Sequence, residues 1–567
     1  TADGNATFAG TISSGAITST GSSTFTSTGG TGVMDINLVA NPPELNFEDT
    51  SGTSGSKRAR WTLDDSKFSA QGLSDDDQSL SHDFINLDLS SGSIITPKGG
   101  ADNVHLGENA ALTLGSTANY NTAIGKDALK VNANGSYAVA IGYQALMADQ
   151  SVEESTAVGA FALTSQTSGR NHAFGFRALQ DLIGGVYNTA VGGETLENVV
   201  NGSYNTAVGT FAGRFNQQGD QNCLFGYKAG YDINGGDANV AIGYEAFQNG
   251  TTGNYNVAIG RQAMSAGVVT ADFNIAIGRT CLQQVTSGTQ NLAIGVDSLT
   301  TMDTGSYNVA LGPSALRLGG GALSNNTAIG AQSGRNTTSN NNAFFGYYSG
   351  HGNTSGINTA IGHRALYTNQ GGTGNVAVGN DTMYYNNGGS YNVAMGNAAN
   401  QAGSGDRNVH IGQQAGGYNT GTLITAVGNQ AAEGLANNTN AGSYGTYIGA
   451  YAGREINTGQ SNTFIGYNSG AAMTTGANNT FIGSYNGQTN LDLRTSSKNV
   501  VISDGAGTIL MHTVVTSGLV SGNIDVTQNL STGNHITIAQ GAVTSLFGTG
   551  NAFSGVFIIN DFTSSGR

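Results

Sequence analysis

An all-β fold, built as a parallel solenoid, is the class this 567-residue sequence predicts, and three observations predict it. Twenty-three versions of Asn-x-Ala-Ile-Gly lie between Asn103 and Gly487, and their closing glycines, from Gly107 to Gly483, recur at a mean period of about 17 residues. That period is too short for a helical repeat and fits one coil of β-structure. Residues around each closing glycine also sort onto two alternating faces, as a strand requires. Finally, glycine supplies 88 residues, roughly twice its usual share, while four prolines and the lack of a Gly-X-Y period exclude collagen, so the glycines read as turns.

Each coil is read outward from its closing glycine. The residue one before is apolar in all 23 copies, and the residue three before is mostly β-branched or apolar. These share one side of a strand and are expected to form the coil core, as Ile124, Ile141, Ile242, Ile259, Ile294 and Ile361. The opposite side carries Asn four before the glycine in 19 copies and Ala two before in 16. A flat side of Ala and Gly is expected to pack against neighbouring copies of the chain, which predicts an oligomer. The Asn column, as in Asn121, Asn188, Asn205, Asn256, Asn308, Asn358 and Asn392, is expected to form a structural ladder of stacked amides along the axis. After the glycine come pairs such as Ala128-Leu129 and Ala246-Phe247, or Ala212-Gly213, the second side of the coil with its large residue inward.

One coil buries about three apolar side chains at about 2 kcal/mol each, against roughly 25 kcal/mol to order 17 residues. A single coil is therefore unstable, and stability has to come from stacking and association. The ends need caps, because an open terminal rung is an exposed strand edge. Twenty-three rungs at about 4.8 Å predict a rod roughly 110 Å long.

The chain divides into four segments. Residues 1–32 read as a Gly/Ser/Thr-rich shaft with too little apolar surface to fold as a monomer. Residues 33–98, with alternation in Ile85-Asn86-Leu87-Asp88-Leu89 and the sole tryptophan, Trp61, read as a small β domain. Residues 99–502 are the solenoid, and 503–567 read as a distal β domain with strands at Ile536-Thr537-Ile538 and Phe557-Ile558-Ile559. A first residue of Thr suggests processing or a fragment.

Charged residues make up only 10% of the chain, and its net charge is −15 with an isoelectric point near 4.8. Without a basic stripe, nucleic acid is not an expected partner, and no apolar run approaches bilayer length, so membrane insertion is not expected either. Cys223 and Cys281 fall three rungs apart, roughly 14 Å, beyond disulfide reach, so both are expected as free thiols.

No catalytic, metal or cofactor site emerges from the motifs. Ser81, His82 and Asp83 spell a hydrolase triad, but adjacent residues cannot converge on one reacting atom. Asp64-Asp65 and Asp75-Asp76-Asp77 lack the alternate spacing of calcium loops and read as solvated turns. His105 and His410 replace the usual Ala many rungs apart, and Gly125-Lys126 lacks the other residues of a phosphate loop. A group of tyrosines one residue before the Asn position stands out, with Tyr204, Tyr255, Tyr307 and Tyr391 as candidate glycan contacts and packing over turn edges as the plainer role.

The unit Asn-x-Ala-Ile-Gly-x-x-Ala, as at Asn121–Gly125, Asn256–Gly260 and Asn358–Gly362, resembles the head repeats of YadA-like trimeric adhesins over residues 103–487. That resemblance implies a left-handed parallel β-roll and a homotrimer around a threefold axis. The amino end, Ala6-Thr7-Phe8-Ala9-Gly10-Thr11-Ile12 followed by Gly15-Ala16-Ile17-Thr18, resembles the shaft segments of bacteriophage tail fibres. Together these lead to the expectation of a non-enzymatic tail fibre or spike of a phage virion, bound to other virion tail proteins and presenting a surface to a host glycan or protein receptor. A secreted or cell-surface bacterial adhesin is the second reading, and a polysaccharide-cleaving tailspike the third.

Overall fold

The computed structural model describes residues 103–521 except 116, 133, 149–152, 168, 435–441, 490 and 517–518, with the backbone alone for 514–521 and for five strands between 44 and 94. The shaft expected at 1–32, the turn Asp75-Asp76-Asp77 and the strands expected at 536–538 and 557–559 lie outside those residues. Among the described residues every regular element is a strand. The repeat forms a parallel β-solenoid of about 23 turns with a period of about 17 residues. Two compact units divide the chain, Thr1–Asn308 and Val309–Arg567.

In the first unit, strands Glu44–Glu48, Arg58–Asp64, Lys67–Leu73, Leu80–Asp88 and Ser93–Ile94 pair antiparallel in sequence order. Twelve coils follow, each contributing one three-residue strand, from Val104–Leu106 to Leu292–Ile294, paired in parallel with equivalent residues opposite one another. The second unit holds eleven coils, from Val309–Leu311 to Thr480–Ile482. Three of them add a short second ladder, Gly352–Asn353, Thr368–Asn369 and Tyr385–Asn386. The required cap is present at the carboxyl end of the main ladder. Asn499–Ser503 pairs in parallel with Thr480–Ile482, and Ile509–Thr516 then returns antiparallel, so a hairpin covers the strand edge.

Only three residues per coil are extended because the backbone turns sharply on either side. The closing glycines hold φ near +130°, and a Cβ on Gly260 would lie 2.6 Å from the carbonyl oxygen of Gly278 in the next coil. No side chain fits there, which is why this position is always glycine. In most coils three further positions take left-handed φ, commonly without being glycine, as at Tyr120 (59°), Asp127 (57°) and Leu129 (48°). At about 1–2 kcal/mol each, this costs about 3–6 kcal/mol per coil, which stacking has to offset. The reversals aim successive amides in opposite directions along the axis. Thr122 N–H donates forward to the Ala138 carbonyl at 2.8 Å, while Asp127 N–H donates back to Glu108 at 2.8 Å, so each coil is bonded to both neighbours.

The two faces of the strand are as the alternation requires, but inside and outside are exchanged. The expected coil-core residues Ile141, Ile242, Ile294 and Ile361 are 36–42% exposed, and Ile124 and Ile259 are half-buried. The interior holds the Ala column instead, with Ala123, Ala241, Ala258, Ala293 and Ala360 at 0–1% exposure. Hence the Ala side cannot meet another copy of the chain. The reason is width: the Ala column stands across from the Leu, Phe or Met four after the glycine, such as Leu129, Leu146, Phe247 and Met264, all fully buried, and a second branched side chain would not fit between them.

The exceptions demonstrate the constraint. Where the Ala position is Leu224, Phe344, His410, Tyr447 or Phe464, the residue four after the glycine becomes Gly230, Gly350, Gly416, Gly453 or Gly470. A Cβ on each of those glycines would lie 2.4–2.7 Å from the large side chain it faces. In these coils one large side chain fills the gap from whichever wall it comes, and where both positions are small, as at Ala207 and Gly213 or Ala328 and Gly334, large side chains of the neighbouring coils (Leu196 and Leu224, Leu316 and Phe344) take the space.

The Asn ladder is present along the axis, formed inside the coil. All seven named residues, Asn121, Asn188, Asn205, Asn256, Asn308, Asn358 and Asn392, are 0–2% exposed. Their bonding is chiefly to backbone rather than amide on amide. Asn188 Oδ1 accepts the N–H of Asn205 in the next coil at 2.9 Å, and Asn188 Nδ2 donates to the Gly202 carbonyl at 2.7 Å. A buried amide is stable here because both of its ends are satisfied. Where the column lapses at Ala138 and Ile424, their own N–H groups still bond to Asn121 and Asn408 of the preceding coils, both at 2.9 Å.

Candidate functional site

With the Ala and Asn columns inside, the side chains that face outward and are available for function include three groups. The first is the column one before each glycine, apolar in every coil of each unit and including Phe174, Val191, Phe225 and Ile242 in the first and Phe345, Met395 and Ile448 in the second. No charge interrupts it. A row of one aliphatic or aromatic side chain per rung is an interaction surface rather than scattered exposure.

The second is the column five before each glycine, which carries the tyrosines. Tyr204, Tyr255, Tyr307 and Tyr391 are all more than half exposed and sit at left-handed turn positions. Several of these rings stack on the equivalent ring of the next coil. Tyr120 lies 5.1 Å from Tyr137, Tyr187 lies 5.3 Å from Tyr204, and Tyr255 lies 5.1 Å from Phe273. Arg407 approaches the Tyr391 ring at 5.9 Å. Packing over the turns and solvent exposure therefore coexist: a stacked pair covers one face of each ring and leaves the hydroxyl edges outward.

The third is confined to the second unit, beside the extra ladder. His351, Tyr367 and Tyr384 stack at 4.9 and 4.8 Å, and the Arg364 guanidinium stands 5.2 Å from the Tyr384 ring while its Nε pairs with Asp381 at 2.7 Å. Burial, followed by the charge of Arg335, holds the His351 imidazole below its ordinary pKa. These rings spend their faces on one another, so the cluster reads as a stiffening rib.

The remaining sequence candidates are not brought together. Ser81, His82 and Asp83 lie consecutively on Leu80–Asp88. His105 and His410 stand in different units. Lys126 pairs with Glu108 of the preceding coil at 2.9 Å, an exposed ion pair. Among the described residues no group of three His, Cys, Asp or Glu side chains could hold a metal ion, and no helix is long and apolar enough to cross a membrane. Both cysteines are free thiols. Cys281 is buried on the inward side and its pKa is pushed up to about 11 by burial, whereas Cys223 sits half-buried on the outward side of its strand, two residues before Phe225.

Sequence reasoning missed what the inverted faces imply. The reciprocal exchange between Phe344 and Gly350, or Leu224 and Gly230, was the signal that would have placed those positions opposite each other inside the coil. Comparison with known proteins adds no assignment: no family model, curated protein or solved structure matches this chain.

Proposed function

We propose that this chain is a structural, receptor-binding fibre of a phage virion, assembled as a homotrimer and working without catalysis. The observation that carries the reading is the unbroken outward apolar column. Hiding the exposed part of each such side chain contributes about 1 kcal/mol, so the twelve coils of the first unit alone offer roughly 12 kcal/mol, comparable with the cost of association. Copies of the same chain are the partner that repeats at the same rung spacing, and parallel alignment brings like rungs to the same level. Three copies, rather than two, follow from the resemblance to YadA-like heads and from the shaft-like amino end. The fibre attaches to other tail proteins of the particle and holds its outer surface toward a host glycan or protein, where three copies gain affinity through multivalency.

Cys223 is a built-in reporter of the assembly, because it lies on the outward side of the strand. Light scattering is expected to give a mass of three chains, and maleimide is expected to label Cys223 only after the complex is dissociated. A monomer whose Cys223 labels at once sinks the assembly. The location is tested separately by immunogold imaging with antibody raised against this chain. Label on the tails of intact particles is the expected result, whereas label on bacterial cells and on no particle favours the adhesin reading that the head-repeat resemblance also supports.

A further inference from the structure

The tyrosine column of the first unit has a gap that is itself furnished. From Tyr120 the positions run Tyr120, Tyr137, Glu154, Arg170, Tyr187, Tyr204 on successive coils. The pairs Tyr120–Tyr137 and Tyr187–Tyr204 are near parallel, with interplanar angles of 15° and 17°. Stacking covers the far sides of Tyr137 and Tyr187, so their free faces look toward the two intervening rungs, about 14 Å apart at three rung spacings. Both rings remain 58% and 48% exposed.

Against Tyr187 lies an open groove of about 170 Å³, lined by Glu153, Gly169, Arg170, Val186 and Tyr187. The Arg170 guanidinium is held on three sides: its Nε lies 3.3 Å from Glu154, its Nη2 lies 3.9 Å from Glu153, and its Nη1 donates to the Tyr187 hydroxyl at 3.2 Å. It therefore meets Tyr187 at the hydroxyl edge and leaves the ring face free. The backbone is irregular at the same place. The coil closing at Gly175 is one residue short of the mean, Tyr187 N–H bonds to the Arg170 carbonyl at 2.9 Å, and the Asn ladder lapses at Ala138 and Ser155 in the two coils between Tyr120 and Arg170. Within the first unit the short coil, the shifted backbone bond and the ladder lapses fall together only here, and a repeat that departs from its own rule is expected to do so at a functional site.

We propose that this groove binds a neutral oligosaccharide, with one ring seated over Arg170 against Tyr187 and the chain continuing along the column toward Tyr137. Exposed tyrosines offer apolar faces to the C–H faces of sugars, and their hydroxyls remain at the rim. Glu154 and Arg170 set an acceptor beside a donor, the pattern that two adjacent sugar hydroxyls complement. Neutrality follows from charge: two carboxylates against one guanidinium leave the groove negative, in a chain of net charge −15, which opposes uronic or sialic acids. The small groove volume holds about one ring, so neighbouring rings lie along the aromatic column. This proposal rests on the receptor-binding reading and names its ligand class.

The test is titration calorimetry and saturation-transfer NMR on the full chain with maltotetraose, cellotetraose, mannotetraose and chitotetraose, against tetragalacturonate. Saturable binding of a neutral member is expected at millimolar or lower concentration, weakened at least tenfold by Tyr187→Ala and by Arg170→Gln, retained in Tyr187→Phe, and unchanged by Tyr444→Ala in the other unit. Light scattering on each variant monitors assembly. Intact assembly with no neutral binding, or with equal binding by Tyr187→Ala, overturns the site and leaves the fibre reading standing. Preference for tetragalacturonate overturns the neutral class, and release of shorter saccharides overturns simple binding in favour of a cleaving spike.

Discussion

Gly350→Leu is expected to destabilise its coil by about 3 kcal/mol, and Phe344→Ala by about 3–5 kcal/mol, yet the double variant is expected to lie within about 1.5 kcal/mol of the parent chain. The first change fails for lack of room and not for its backbone. Gly350 has φ of 60°, a conformation that Leu316 and Leu366 adopt at the same coil position with φ of 50° and 53°. What a side chain at 350 would meet is the Phe344 ring, 2.4 Å from an added Cβ and fully buried. Phe344→Ala alone opens a cavity in a closed coil. Together the two changes recreate the arrangement of the following coil, where Ala360 and Leu366 are both fully buried. Because a long repeat unfolds in parts, a single stability is not defined for it. Hydrogen exchange of the amides around coil 343–353 in the full chain is the suitable measurement. Additive losses in the double variant would mean that the two positions do not share one cavity.

That exchange also marks where the sequence was readable. Period, strand position, the glycine turn and the Asn column could all be taken from spacing, since each depends on backbone geometry repeated 23 times. Which side of the strand faces inward could not be taken from hydrophobicity. Ile, Val and Phe one before the glycine outrank Ala two before it on any apolar scale, yet a coil this narrow admits only Ala opposite Leu, and the larger residues such as Ile242 and Ile361 stay outside. The Asn column was read correctly as a structural ladder but placed with the Ala side against neighbouring copies, whereas Asn188 and Asn205 lie inside the coil and bond chiefly to backbone. The left-handed positions at Tyr120, Asp127 and Leu129 were not read, because Gly and Asn mark them in only a minority of coils, as at Gly350 and Asn400. The furnished gap at Glu154 and Arg170 becomes legible only when the tyrosines are read as a column with interruptions rather than as a composition.

His410 sets the pH response of the second unit. It occupies an interior Ala position, faces Gly416, is fully buried, and neither ring nitrogen has a hydrogen-bond partner. Burial lowers its pKa to about 4, against roughly 6.5 for an unfolded histidine. Between those values the unfolded chain takes up a proton that the folded chain refuses, so stability is full above about pH 6.5 and declines as pH falls through the window toward 4. At 1.36 kcal/mol per pKa unit the loss is about 3 kcal/mol per copy. Burial also lowers the pKa of His351 and His512 in this unit, which act in the same direction, so the measurement is confined to the coil around His410. His410→Phe reproduces the pairing of Phe344 with Gly350 and removes the titrating group. Hydrogen exchange near residues 409–416 is expected to accelerate between pH 6.5 and 4.5 in the parent chain, after correction for intrinsic exchange, and to stay level in the variant. Equal acceleration in both would show that groups other than His410, such as His351 or His512, carry the response.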